Sequence, residues 1–371
     1  MDFAKKEDIL INLAHSRYDL IIVDEAHKMS AYSYGDKVSK SNRYKLGEVL
    51  SEISNHLLFL TATPHKGDTE NFRLFLDLLQ PGFFASKEQI ENSIRDKDNP
   101  LFIRRTKEDL KNFDGKPLFL PRNVKTIHFD LGKDSPEEKE LYNELSKYIT
   151  TQYNISLKKN KNKYIYFTLI ILQRRFASSI YALTKTLKRR LHKLEDLISK
   201  VSQFNNFNNF YDDIDNIDEL AEEERWEIEN QLETISLAQN REELENEINT
   251  IKKLIKKADD ILTNEKEIKL KKLKDSLNKL DEKLEDKDKT KIIIFTESKD
   301  TLDYLEKKVK EWGYSVITIY GGMKLEERVN AEKFFKNEKQ ILIATEAAGE
   351  GINLQFCNQM INTIYHGIQT A

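Results

Sequence analysis

The stretch that decides the fold is Tyr18–Ser30, with the sequence YDLIIVDEAHKMS. Its first six residues form a short apolar run, the kind that makes a strand buried on both faces in a parallel sheet. Small and polar residues, Asp24 to His27, follow at once. Because ligand sites of parallel sheets lie at the carboxyl ends of the strands, the sequence predicts a strand that ends in a functional loop.

The two adjacent carboxylates of Asp24 and Glu25 are suited to a site that hydrolyses phosphate esters. The first carboxylate can hold Mg²⁺ through the water shell of the ion, since Mg²⁺ gives up its waters reluctantly. The second can orient and deprotonate the water that attacks a γ-phosphate. Such a pair after an apolar run is also common at the end of a surface strand, so it does not decide the function alone.

A second strand carries its own polar end. The run HLLFL at His56–Leu60 is followed by Thr61, Ala62, Thr63, Pro64 and His65, and Asn42–Ser54 is predicted to be the crossover helix between the strands. Small hydroxyl side chains at the end of a neighbouring strand can interact with the carboxylates and pass the state of the bound nucleotide to another part of the protein. An ordinary turn after a strand would also explain the residues Thr61 to His65. The occurrence of both motifs in this order, each directly after an apolar strand, argues against chance.

The middle of the chain, about 136 to 285, is nearly all helix-forming, and an α/β rhythm returns from Lys291. Apolar residues in this middle region form two heptad runs with a break near Asn264: Leu244, Ile248, Ile251, Ile255, Ala258 and Leu262, then Leu270, Leu273, Leu277, Leu280 and Leu284. We favour a helical insertion that packs within the chain over an oligomerising coiled coil. The returning rhythm predicts strands at 291–295, 315–319 and 340–344 and helices at 300–312 and 325–336.

Composition limits the functional classes. The chain has 371 residues, 33 % of them charged, with a net charge of -3, so nucleic acid would be bound by local basic patches. Cys357 is the single cysteine, which excludes an internal disulfide and a multi-cysteine metal site. Because the sequence has neither a signal peptide nor an apolar run near 18 residues, we expect a cytoplasmic chain without a membrane partner.

The ordered motifs resemble those of the Swi/Snf-type DNA translocases, DEAH-box members of helicase superfamily two, and among them the RapA-like prokaryotic branch. Asp24–His27 is similar to motif II and TATPHKGD at Thr61–Asp68 to motif III. IIIFTES at Ile292–Ser298 is similar to motif IV and TEAAGEGIN at Thr345–Asn353 to motif V. Further similar segments are LFIRRTKEDL at Leu101–Leu110, LQRRFASS at Leu172–Ser179, and Tyr320-Gly321-Gly322 with Arg328.

This resemblance implies an α/β fold of two RecA-like parallel-sheet lobes with a long helical insertion, the cofactors ATP and Mg²⁺, and double-stranded DNA as the partner. It divides the chain at 1–125 (the carboxyl-terminal part of lobe one), 126–285 (helical insertion and linker) and 286–371 (lobe two). Three groups of site residues follow: catalytic Asp24, Glu25 and His27, of which Asp24 and Glu25 bind the metal; coupling residues Thr61, Ala62 and Thr63; and cleft residues Thr345, Gly349, Glu350, Gly351 and Asn353.

A cluster of cations in the helical region is the candidate DNA contact. Its members are Arg174, Arg175, Lys188, Arg189 and Arg190. They can neutralise phosphates, or they can form the solvated face of a helix. The sequence alone leaves both interpretations open.

The sequence also departs from the family pattern. It contains no G-x-x-x-x-G-K-[ST] string, the loop that cradles phosphates, and no motif VI arginines after Asn362. We therefore expect a fragment, with lobe one incomplete and lobe two truncated, that is inactive alone unless a separate polypeptide supplies the loop. A lost base near Asn362 in a disrupted gene is one hypothesis. The alternative function is a non-catalytic nucleic-acid-binding or scaffold protein that keeps the helicase lobes.

Overall fold

The computed structural model describes residues 1, 3–34, 37–62, 69–96, 101–158, 162–199, 222–233, 238, 241–283, 291–349 and 352–363. Thr63, Glu350, Gly351 and Leu284, which the sequence analysis singled out, lie outside these residues. The chain divides into two compact units, Met1–Lys125 and Thr126–Ala371. No helix among the described residues combines the length and the apolar character needed to cross a membrane.

The first unit contains a small parallel sheet. Its elements are α1 (Glu7–Ala14), β1 (Tyr18–Val23), β2 (Ala31–Tyr34), β3 (Lys37–Lys40), α2 (Asn42–Ile53), β4 (Ser54–Phe59), α3 (Thr69–Asp77) and α4 (Lys87–Asp96). β1 and β4 run parallel, with Leu20 opposite His56 and Val23 opposite Phe59. The predicted strand at Tyr18–Val23 and the crossover helix are thus confirmed. The second strand begins two residues earlier than predicted.

The β1–β4 sheet is covered on one face only within the described part of the unit. Val23 is buried, and Ile21, Leu57 and Phe59 pack against the core of this unit. On the opposite face Leu20 is 53 % and Ile22 is 57 % exposed, with Leu58 also exposed. The expectation that both faces of these strands are buried is therefore wrong for the described residues, and the uncovered face is apolar.

The second unit begins with stacked helices: α5 (Leu131–Asp134), α6 (Pro136–Lys158), α7 (Asn162–Ser178), α8 (Ile180–Ser199), α9 (Glu222–Leu232), α10 (Arg241–Thr263) and α11 (Ile268–Lys283). The first heptad run lies on α10, and Leu244, Ile251 and Ala258 pack into one core with residues of α6, α7 and α8. The second run lies on α11, where Leu273 and Leu277 join the core of the following sheet. Both seams thus pack within the chain.

The second sheet is parallel and buried on both faces. It contains β5 (Ile292–Phe295), β6 (Val316–Ile319), β7 (Ile341–Ala344) and β8 (Gln359–Asn362), with α12 (Lys299–Glu311) and α13 (Leu325–Asn337) between strands. The strand order is β6-β7-β5-β8. Alternate residues of β5 enter opposite cores, Ile292 and Ile294 on one side and Ile293 on the other. The predicted α/β class with parallel sheets is confirmed.

A buried charged node joins four segments of the helical region. Arg190 of α8 is 1 % exposed. Its Nη2 donates to Glu247 Oε1 of α10 at 2.6 Å, its Nε donates to the Tyr148 hydroxyl of α6 at 2.9 Å, and its Nη1 donates to the Glu233 carbonyl at 2.8 Å. Each of the three guanidinium nitrogens therefore donates to a different segment. The node therefore fixes how these segments pack, beyond what apolar contacts specify.

Replacing Arg190 with leucine should strongly destabilise the second unit, because the Glu247 carboxylate would stay buried without its cation. We expect a loss of about 3–5 kcal/mol in the free energy of unfolding, measured by urea denaturation followed by circular dichroism. The double variant Arg190→Leu/Glu247→Leu should recover much of that loss. Lys188→Ala is the matched control on α8, since its ion pair with Asp259 is exposed and should contribute less than about 1 kcal/mol. Equal losses for Arg190→Leu and Lys188→Ala would contradict this account.

Candidate functional site

The ends of β1 and β4 are tied together by backbone hydrogen bonds beyond the strands. Leu60 N–H donates to the Val23 carbonyl at 2.9 Å, and Ala26 N–H donates to the Leu60 carbonyl at 3.0 Å. Between them Glu25 has a φ of 51°, a left-handed conformation that is uncommon outside glycine. Asp24 Oδ1 accepts the Glu25 N–H at 2.9 Å. Strained backbone of this kind is concentrated at functional sites, and here it presents two successive carboxylates at the sheet edge.

His27 connects the two predicted motifs of this unit. Its Nδ1 lies 3.0 Å from Thr61 Oγ1 and 3.2 Å from Glu25 Oε2. The imidazole follows β1 in a short 3₁₀ turn, Ala26–Lys28, while Thr61 follows β4. The structure therefore brings Glu25, His27 and Thr61 together.

The carboxylates fit a magnesium ion that keeps most of its waters. The Asp24 residue is exposed and the Glu25 side chain is 46 % exposed, so both oxygen pairs are open to water. Among the residues that the structure describes, no group of three or more His, Cys, Asp or Glu side chains is arranged to hold a metal ion. Mg²⁺ is commonly held by one or two carboxylates plus water and substrate phosphates, which agrees with this sparse set.

The carboxyl edge of the second sheet contains buried hydroxyls. Thr296 and Ser298 follow β5 and are 1 % and 3 % exposed, and Thr345 follows β7 at 0 %. Thr345 Oγ1 has no hydrogen-bond partner among the described residues. A buried hydroxyl without a partner is costly, and this one lies directly before the turn Glu346–Gly349. Thr345 and Gly349 thus share one edge.

Asn353 is engaged locally. Its Oδ1 accepts the Gln355 N–H at 3.1 Å, and its own N–H donates to Glu332 Oε2 of α13 at 3.3 Å. Near the end of β6, Arg328 Nη2 donates to the Gly321 carbonyl at 2.7 Å. These contacts fix the loops after β6 and β7 against α13. The roles given to the site residues from the sequence stay predictions.

The arginines of the helical region are neither a solvated helix face nor a bare basic patch. Arg175 is 7 % exposed and Arg190 is 1 % exposed. Both guanidiniums are held by buried carboxylates, so in this arrangement neither is open to DNA phosphates. Arg174 and Arg189 are ion-paired too, but about a third of each side chain is exposed (36 % and 35 %). Lys188 forms an exposed pair with Asp259.

The partners of these arginines come from α9 and from the edge of the second sheet. Glu229 accepts from Arg174 Nη1 at 3.1 Å and from Arg175 Nη2 at 3.0 Å. Glu233 accepts from Arg175 Nε at 3.1 Å and from Arg189 Nη2 at 2.8 Å.

The sheet side of the network uses the loop after β5. Arg174 Nε donates to Glu297 Oε1 at 2.7 Å, and Arg175 Nη1 donates to Ser298 Oγ at 2.7 Å. Arg189 Nη1 donates to Asp300 Oδ2 at 3.1 Å. Burial raises the pKa of Asp300, but the neighbouring cations outweigh it and hold that pKa below its usual value. This network was not anticipated, although the glutamates spaced by four residues in 222–233 were a usable signal.

The second sheet lies in a segment that is similar to a known protein domain. Residues 268–367 match the helicase conserved C-terminal domain. The chain is 30 % identical over 354 residues to the uncharacterized ATP-dependent helicase YqhH of Bacillus subtilis (strain 168), a match that covers 93 % of this chain and 50 % of that protein. Nearly the whole chain is thus similar to an ATP-dependent helicase, and its residues 268–367 are similar to a helicase C-terminal domain. The chain spans half the length of this relative.

Two solved structures match this chain at low sequence identity. The helicase domain of Pyrococcus furiosus Hef matches with 16 % identity and a TM-score of 0.44, over 96 % of this chain and 68 % of that one. The Sulfolobus solfataricus SWI2/SNF2 ATPase core in complex with double-stranded DNA matches with 18 % identity and a TM-score of 0.25, over 96 % and 60 %.

The matched helicase domain begins at residue 268, where the chain passes through a buried charged junction. Glu267 Oε1 accepts the Ile180 N–H at 3.1 Å, at the start of α8, and Glu138 Oε1 accepts the Ile268 N–H at 2.6 Å, at the start of α11. Lys269 Nζ donates to the carbonyls of Ala177 and Thr363 at 2.6 and 2.8 Å. Both glutamates lie at helix N-termini, where carboxylates are favourable. The Lys269 side chain ties the helical region to the residue that follows β8.

Burial controls the titration of this junction. Burial, with Glu138 as a second cause, raises the pKa of Glu267 to about 7, and burial lowers the pKa of Lys269 to about 8. The folded state therefore holds a proton on Glu267 at pH values where the unfolded chain has lost it. Between the unfolded pKa and about 7, the folded state becomes less stable as the pH rises.

Glu267→Gln should therefore stabilise the second unit more at pH 8 than at pH 5. The raised pKa of Glu267 implies that the gain in the free energy of unfolding caused by this substitution is larger at pH 8 than at pH 5 by up to about 3 kcal/mol. Urea denaturation at pH 5, 6, 7 and 8 measures it. Glu265→Gln is the matched control: that carboxylate is exposed, and its hydrogen bond to Lys308 lowers its pKa, so its replacement should give no gain at pH 8. A stability difference for Glu267→Gln that is constant across this pH range would contradict the account.

Proposed function

We propose that this chain is part of an ATP-dependent DNA translocase of the Swi/Snf type, from the RapA-like DEAH-box branch. In this proposal it couples ATP hydrolysis to movement on double-stranded DNA. Asp24 and Glu25 act in metal binding and water activation, and Thr345, Gly349 and Asn353 belong to the cleft that faces nucleotide and DNA. Arg174 and Arg189 are the cations that approach phosphates.

The contact of His27 with both Thr61 and Glu25 carries the proposal. It joins the end of β1 to the end of β4 at 3.0 and 3.2 Å. A residue that activates water is useful to a motor only if its state is relayed to a moving part. An imidazole nitrogen that lies close to a side chain of each loop supplies such a relay, and a surface strand end has no need of it.

Mg²⁺ and ATP are the implied cofactors. Asp24 and Glu25 would hold the ion through water, and the ion would neutralise the charge that develops on the phosphates. Glu25 would orient the attacking water and accept its proton, while the hydroxyl of Thr345, buried without a partner among the described residues, fits a polar group entering its edge. Gly349 leaves the backbone free to approach a phosphate, since it has no Cβ.

The uncovered apolar face of the β1–β4 sheet favours the presence of another polypeptide segment that packs on it. Leu20, Ile22 and Leu58 are exposed there on adjacent strands. An open apolar sheet face promotes association. We propose that it is covered by a polypeptide that also carries the G-x-x-x-x-G-K-[ST] loop, whether as another part of the same protein or as a separate chain.

The proposal predicts that the 371-residue chain binds a fluorescein-labelled 30-base-pair DNA duplex, with an affinity that falls steeply with salt. Fluorescence anisotropy at two salt concentrations measures it, with single-stranded DNA of the same length as the comparison. Because the sequence has no phosphate-cradling loop, we expect no DNA-stimulated ATP turnover above that of Glu25→Gln. Absence of duplex binding at low salt would overturn the DNA assignment. Turnover that disappears in Glu25→Gln would overturn the inactivity of the chain alone.

The lack of a G-x-x-x-x-G-K-[ST] string in the sequence favours one alternative, a non-catalytic nucleic-acid-binding protein that keeps the helicase lobes. The two functions differ in their response to nucleotide. In the translocase, Mg-ATP should change the duplex affinity of the chain, and Asp24→Asn should abolish that change. In the non-catalytic protein, Mg-ATP should leave the duplex affinity unaltered in both chains.

A further inference from the structure

The inward face of α9 is made of charges. Its buried residues are Arg225, Glu229 and Leu232, and the adjoining Glu233 is 0 % exposed. Surface helices ordinarily bury an apolar stripe. Here Leu232 is buried and Trp226 is half-buried, and ion pairs of Arg225, Glu229 and the adjoining Glu233 add charged contacts.

The helix lies along the carboxyl edge of the second sheet. Arg225 Nη2 donates to Glu346 Oε2 at 3.1 Å, immediately after β7. Near β6, a Cβ added at Gly321 would lie 2.8 Å from the Glu222 Cβ. Glu229 binds Arg174, which also binds Glu297 after β5. The helix therefore lies against the loops after β7 and β6 and is linked to the loop after β5 through Arg174, at the edge where parallel α/β sheets bind their ligands.

The glutamates of α9 neutralise the arginines that a polyanion would need. Arg175 and Arg189 together use Glu229 and Glu233, and the second of these carboxylates is fully buried. Replacing these carboxylates by phosphate oxygens would preserve charge-assisted hydrogen bonds to the guanidiniums. Arg174 and Arg189 are each exposed by about a third, which gives an incoming anion a first point of contact.

We propose that α9 is an internal occupant of a nucleic-acid phosphate-binding surface formed by Arg174, Arg175 and Arg189, and that bound duplex displaces it. This inference rests on the proposed function and adds a mode of regulation to it. A nucleic-acid backbone is the occupant that fits, because it offers successive phosphates to cations that lie along one edge. The carboxylates of Glu229 and of the adjoining Glu233 give way, while Glu297 and Asp300 stay with the second sheet and keep Arg174 and Arg189 oriented.

The test compares duplex affinities of charge-matched variants of the full chain. Glu229→Gln/Glu233→Gln removes the inner carboxylates and should bind the 30-base-pair duplex roughly tenfold more tightly than the unaltered chain. Glu224→Gln/Glu227→Gln changes the net charge equally on the exposed face of α9 and should bind within about twofold of the unaltered chain. Anisotropy at one fixed salt concentration measures all three.

Hydrogen–deuterium exchange on the unaltered chain keeps the test independent of whether the inner variant folds. Saturating duplex should increase amide exchange across Glu222–Leu232 and leave β5 and β7 protected. Equal affinity gains for the inner and outer variants, or α9 that stays protected while duplex is bound, would overturn the displacement and leave the proposed function standing. Absence of duplex binding by every chain would overturn both.

Discussion

The ion pairs between the arginines of α7 and α8 and the carboxylates around them are the constraint on which the second unit depends. Buried guanidiniums are tolerable only when every charge has a partner. Arg175 and Arg190 meet this condition through Glu229, Glu233 and Glu247, which lie on or beside other helices. These ion pairs, together with apolar packing, fix the register between the helices. Arg175 also attaches the helical region to the second sheet through Ser298.

Each of the two units presents polar residues at the carboxyl edge of its own sheet. The first presents strained carboxylates beside a histidine relay, and the second presents a buried hydroxyl and close-packed loops at its sheet edge. The second unit contains the segment that is similar to the helicase C-terminal domain, and the similarity to an ATP-dependent helicase extends over 93 % of the chain. An acidic helix at the edge adds a control element, because a surface that binds a polyanion must otherwise remain exposed and cationic.

Much of the fold could be predicted from the sequence, because the strand ends at Val23 and Ala344 coincide with a change from apolar to polar residues. The contact of His27 with Thr61 could be anticipated only as motif proximity, since it depends on β1 and β4 being neighbours. The burial of Arg190 could not be predicted, because its partner Glu247 is 57 residues away in the chain. Charge patterns identify cations, but only tertiary packing decides whether they meet solvent, phosphate or carboxylate.

Trp226 offers the most direct measurement of the central claim, that α9 and nucleic acid share one set of arginines. It lines a small pocket with Ile171 and Arg174, and the chain has two tryptophans, so Trp312→Phe leaves it as the sole indole. The account predicts a saturable red shift of its fluorescence as DNA duplex is added, with a midpoint equal to that of binding measured by anisotropy. An unchanged Trp226 spectrum at duplex concentrations that saturate the anisotropy signal would contradict the account.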